Sequence, residues 1–263
     1  MMSSVFSKTF YDQRWSMGGF AVGLGILTFF ILYLYPSVAE AQAEIMEGMG
    51  ESIAESLVGS MALVGSAEAY LSFQLFSFQP LYLAIFLIIE TSSTVAGEER
   101  AKTFDILLTR PIERWRILLE KALAIFLGVV IITLATTIGA VAGAIAADVE
   151  LNLVDLALSM LNTLPFAFWV LCFGLFCSAI FRSRKTAALV ATAVVVAGYM
   201  LNSLSEFVLS LVTWSQFSPM YYYGWGAPLL FGMRWEHIGI LLGTGLVFLL
   251  LAIIAFQRRE IVS

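Results

Sequence analysis

The sequence predicts an all-α, polytopic membrane protein. It has six transmembrane helices, an amphipathic N-terminal helix in the interface, and a short cytoplasmic helix between the second and third spans. Three observations carry this reading. First, the 263 residues are 60% hydrophobic and only 13% charged, with a mean hydropathy of +0.91; a soluble core of that size cannot hide so much apolar surface. Second, six apolar runs, at 17–36, 78–97, 122–147, 157–181, 186–205 and 238–257, are each long enough to cross a hydrocarbon core about 30 Å thick. Third, the basic residues fall on one side. With the N-terminus inside, thirteen of the fourteen Lys and Arg lie in inside segments and only Arg234 lies outside, so the positive-inside rule gives N-in, C-in. One membrane domain accounts for residues 1–263, with extracytoplasmic segments at 37–77 and 206–237.

Residues 5–16, VFSKTFYDQRWS, can put Val5, Phe6, Phe10 and Trp15 on one surface while Lys8, Asp12 and Arg14 reach water. This predicts an amphipathic helix lying in the inner interface, with Trp15 at headgroup level. The first apolar run is full length and has no convincing cleavage site, so it reads as an anchor. It carries Gly19 and Gly23, a GxxxG pair repeated at Gly139/Gly143 and Gly239/Gly243; such spacing lets helices approach closely. Pro36 is expected to end this span. Between 39 and 58, Glu40, Glu44, Glu47, Glu51 and Glu55 recur every three or four residues opposite Ile45, Met46, Met49 and Ile53. That pattern predicts an external amphipathic helix whose acidic face is solvated. The net charge of −5 therefore belongs to the outer face and says nothing about a nucleic-acid partner.

The second span contains Glu90. A charge about 12 Å inside the boundary costs at least ~2.5 kcal/mol unless it is paired or wet. Three readings stay open: a residue of a substrate or proton path, a structural hydrogen bond, or a span boundary drawn too far out, since Thr91, Ser92, Ser93 and Thr94 follow directly. The segment 98–121 holds Arg100, Lys102, Arg110, Arg114, Arg116 and Lys121. Phe104, Leu107 and Leu108 have helical spacing, Glu98 and Lys102 form an i,i+4 pair, and Pro111 suits the first turn of a second helix. Phe104, Ile106 and Leu107 would be exposed to cytoplasm and call for a partner.

In the fourth span Asn162 and Pro165 stand within the apolar run, and the proline reads as a static bend. Cys172 and Cys177 lack metal or redox spacing. Arg182, Arg184 and Lys185 form a tight inside loop, suited to a second docking contact or to anionic lipid. Asn202 lies near the end of the fifth span. The aromatic segment 206–237 is broken by Pro219, Gly224, Gly226 and Pro228 and predicts short re-entrant or interfacial helices capping the outer mouth. His237 has no partners that would make a metal site.

The run Ala96-Gly97-Glu98-Glu99, Thr103-Phe104-Asp105-Ile106-Leu107-Leu108, Arg110-Pro111, Arg114-Trp115-Arg116-Ile117-Leu118-Leu119 and Lys121 resembles type-2 ABC transporter permeases. TFYDQRWS before the first span, Tyr35-Pro36-Ser37 after it, AEAYLSFQLFSF before the second, and the ending FQRREI agree, so the resemblance covers essentially the whole chain. It departs at Lys102, where the family often carries glycine. The resemblance implies a multi-pass plasma-membrane protein with both termini cytoplasmic and a coupling helix after the second span. Its partners would be a separate ATP-binding-cassette ATPase subunit, a second permease copy or sibling, and membrane lipid.

Motor-docking residues would then be Glu98, Glu99, Arg100, Thr103, Phe104, Asp105, Ile106, Leu107, Leu108, Arg110 and Pro111. Glu90, Asn162 and Asn202 are the candidates for the translocation path. The chain itself has no G-x-x-x-x-G-K-[ST] loop, so it is expected to bind no cofactor, with ATP-Mg in the partner, and to be no enzyme. The expected function is ATP-driven translocation, in the direction of export. The alternatives are an ion-coupled secondary transporter and a non-transporting membrane assembly subunit.

Overall fold

The computed structural model describes residues 5–48, 66–94, 113–224 and 227–258. Among these residues every regular element is helical and there is no strand. In chain order they are α1 (Val5–Asp12), α2 (Arg14–Tyr33), α3 (Tyr35–Gly48), α4 (Ala67–Leu71), α5 (Gln79–Thr94), α6 (Arg114–Ala146), α7 (Leu153–Ile180), α8 (Arg184–Ser205), α9 (Val212–Ser215), α10 (Pro219–Tyr223), α11 (Ala227–Phe231) and α12 (Trp235–Arg258). A π-helical turn, Ser72–Phe76, joins α4 towards α5, so that 28 residues from Ala67 to Thr94 act as one span. With α2, α6, α7, α8 and α12 this makes six helices long and apolar enough to cross a membrane; the protein is an integral membrane protein.

The helices run past the apolar runs, for local reasons. Pro36 does not simply stop α2: Leu34 caps it, and Pro36 sits in the first turn of α3, where its missing N–H costs nothing. The 33 residues of α6 make a rod about 50 Å long, longer than the hydrocarbon core. Its polar first turns, Arg114 to Lys121, therefore continue the helix beyond the apolar part. Asn152 starts α7 by accepting hydrogen bonds from the backbone N–H groups of Val154 and Asp155, an N-cap.

In lipid the contact between spans comes from close packing and not from a hydrophobic drive. The α2–α6 seam shows how this works. A Cβ on Gly139 would stand 2.1 Å from the Gly25 carbonyl oxygen, and one on Gly143 would stand 2.5 Å from that of Phe29, so the two backbones touch only because glycine is there. The other two GxxxG pairs, Gly19/Gly23 and Gly239/Gly243, have nothing within 4 Å of such an atom. α7 is the central helix and packs on α5, α6, α8 and α12. Its contact with α12 is an aromatic clasp: Trp169 and Phe173 stack at 5.2 Å, and Phe248 meets them edge-on at 5.6 and 5.0 Å. Cys172 and Cys177 are both buried free thiols in α7.

At the other end of the bundle the short helices α9 to α11 fold over α7 and α8. Ser218 caps α10, accepting from the Met220 N–H, while its own hydroxyl donates to the Gly198 carbonyl of α8 at 2.9 Å. Gly224 ends α10 in the left-handed conformation, φ 72°, which glycine adopts without strain. Burial raises the Tyr223 phenol pKa, keeping it neutral. The residues of the 39–58 helix beyond Gly48 lie outside the described residues.

Candidate functional site

Two features of the bundle can carry function: a polar collar around the ends of α5 and α6, and a groove between α5 and α8. The collar forms where the chain leaves α5 and returns as α6. Residues 95–112, which hold the docking positions Glu98 to Pro111, lie outside the described residues. Their two anchors do not.

Lys121, on α6, is only 4% exposed, and its Nζ donates to the Thr94 carbonyl at 2.9 Å. Helix C-termini leave their last carbonyls without intrahelical partners, so a buried ammonium in this place closes the last turn of α5. It also ties the exit of α5 to the third turn of α6, across the 95–112 connection. At the start of α6, the indole N–H of Trp115 donates to the Glu113 carboxylate. Arg116 and Glu120 pair at 3.3 Å one turn apart; that pair is solvent-exposed and contributes little.

α1 joins the same collar. The Phe6 backbone N–H donates to Glu120 Oε2 at 3.1 Å, and Phe6 and Phe10 stack on one face. Between α1 and α2, Gln13 is buried and its Nε2 donates to the Ala124 carbonyl at 2.6 Å. Trp15 faces outward, 79% exposed, and shares the Arg14 guanidinium with Tyr11. Glu90 is half-buried. Its carboxylate lies near Ser16 at the start of α2, and Arg184 and Asp12 are near enough to act on it electrostatically. Three elements thus meet at this acid: α5, α2 and the start of α8.

The groove has a volume of about 890 Å³. Ile85, Ile88 and Ile89 of α5 and Ala188, Thr192 and Val195 of α8 form its walls, and Ser92, Arg184 and Lys185 line it as well. Of the three sequence candidates for a translocation path, the structure brings Glu90 to the basic end of this groove and leaves the other two elsewhere. Asn162 is buried and donates to the Tyr223 carbonyl at 2.9 Å, holding α10 onto α7. Asn202 is buried near the far end of α8, where its carbonyl accepts from Ser205.

Sequence reasoning missed the inward role of Lys121, which it counted among the basic residues of the segment 98–121. A signal was present: Ile117, Leu118 and Ile125, three or four residues away, are apolar and share its helix face. Gln13 carried no such signal, because its partner, Ala124, lies on another helix. Among the described residues no cluster of His, Cys, Asp or Glu could hold a metal ion.

A family model described as ABC-2 family transporter protein matches residues 17–261. No curated protein matches the chain.

Proposed function

This chain belongs to the ABC-2 family of transporter proteins, and from that premise we propose that it is the membrane half of an ATP-driven exporter whose motor is a separate ATP-binding-cassette subunit. The protein sits in the plasma membrane with both termini in the cytoplasm, α1 lies in the inner interface, and a second permease, identical or sibling, completes the translocation unit. ATP with Mg²⁺ binds in the motor. Residues 98–111 form the docking surface: Phe104, Ile106, Leu107 and Leu108 pack into a groove of the motor, and Glu98, Glu99 and Arg100 fix the register. Thr103, Asp105, Arg110 and Pro111 shape the turn that carries them.

The observation that supports this most is the Lys121–Thr94 bond. It fastens the two ends of the docking segment to each other, so a push on 98–111 reaches α5 and α6 together. α5 lines the groove and α6 packs on α2, α7 and α1. Motor closure therefore shifts a block of helices about the groove, which is the path of the cargo, between inward- and outward-facing states.

The test is the double substitution Glu98→Ala/Phe104→Ala. It is expected to abolish co-purification of the motor and stimulation of its ATP hydrolysis, while membrane insertion stays intact. Undiminished co-purification would overturn the docking role.

A further inference from the structure

The groove between α5 and α8 has the chemical profile of an amphiphile site. From Leu81 to Ser92 its α5 wall rises about 16 Å, roughly half of a hydrocarbon core of about 30 Å, so it is one leaflet deep. The walls are aliphatic except for Thr192 and Ser92. Among the described residues the only charged side chains that line it are Arg184 and Lys185, both exposed and both at one end. Neither Glu90 nor Asp12 lines the groove; Glu90 lies near enough to Arg184 to offset about one of the two positive charges, and Asp12 acts on Glu90.

We propose that this groove binds an anionic membrane lipid, with an acyl chain along Ile85, Ile88 and Ala188 and the headgroup on Lys185 and Arg184. Charge and depth both point to that occupant. A second copy of the chain seated twofold over the mouth would bring each basic pair against its own equivalent, whereas a lipid headgroup brings the missing negative charge. That the lipid is cargo, and not a fixed component, rests on the permease reading above.

The purified chain, in phosphatidylcholine nanodiscs, is photolabelled with a phosphatidylglycerol that carries a diazirine on its acyl chain, or with the phosphatidylcholine of identical chains. The expected result is labelling concentrated on α5 and α8 groove residues, with phosphatidylglycerol preferred about fivefold, the effect of one net cation at a membrane surface. Arg184→Gln/Lys185→Gln should bring the two probes to equal labelling, Thr192→Trp should remove groove labelling by both, and Lys8→Gln, a change to another exposed cation, should alter neither.

Equal labelling of the wild-type groove by the two probes would overturn the proposal, as would label spread evenly onto the lipid-facing Ile138 and Leu250. Efficient disulfide dimerisation through Ile85→Cys and Thr192→Cys, with no groove labelling, would overturn it in favour of a second copy. The two readings separate cleanly. Loss of lipid preference in a chain that still stimulates an ATPase sinks the lipid site alone. Selective labelling without any ATP-dependent movement of the probe leaves the site standing and sinks the transport reading.

Discussion

Replacing Lys121 with methionine breaks a bond that ties the two ends of the docking segment together, and leaves the sequence of residues 98–111 unchanged. The side chain is 4% exposed and donates to Thr94 at 2.9 Å. A hydrogen bond from a charged group is worth about 1.5–3 kcal/mol, and at 1.36 kcal/mol per tenfold its loss raises local opening of the last turn of α5 by about ten- to a hundredfold. Methionine is close to lysine in length and flexible enough to fill the space, so the bundle itself should hold. Hydrogen–deuterium exchange over residues 88–94 reads the first effect directly. The second is read in the reconstituted complex: the motor still binds, but its ATP hydrolysis no longer responds to the permease. Lys121→Gln, which keeps a neutral donor on a shorter arm, should fall between. Unchanged exchange at the end of α5, together with unchanged stimulation, would refute the idea that this bond transmits the push.

Gly139→Ala should lower thermal stability in detergent by the roughly 1–3 kcal/mol of an overpacked contact, because its Cβ would meet the Gly25 carbonyl at 2.1 Å; Gly239→Ala, with nothing within 4 Å, should leave the unfolding temperature unchanged. Asn162→Leu strips a buried hydrogen bond from the Tyr223 carbonyl, at about 1–3 kcal/mol. Faster amide exchange in 219–224, with α12 unaffected, is the expected signature.

The six spans were legible in the sequence because length and hydropathy are local properties. Which residues face inward depends on a helix's partners, and this was only partly legible. The three GxxxG pairs look alike in sequence, yet only Gly139/Gly143 finds another backbone to touch, in α2. Asn162 announced itself as a polar residue in an apolar run, but its partner, Tyr223, lies 61 residues on, in a segment with no span of its own. The polar first turns of α6 were legible as the helix that Pro111 suits, although the apolar run begins only at 122. The docking motif was legible as a motif; its residues lie outside those described. The groove was invisible, because it is a gap between two helices distant in sequence, and its isoleucines and alanines are individually ordinary. Only the pair Arg184/Lys185 stood out, and the structure gives it a place beside Glu90 and at the end of that groove.

The central claim is that the basic-collared segment after α5 is a handle for an external motor. A photo-reactive amino acid at position 104, activated in intact membranes, tests it most directly. The account predicts a cross-link to an ATP-binding-cassette ATPase whose yield changes when ATP is trapped in the motor. Labelling of position 104 by an impermeant reagent added from outside the cell, or cross-links to lipid alone, would contradict it.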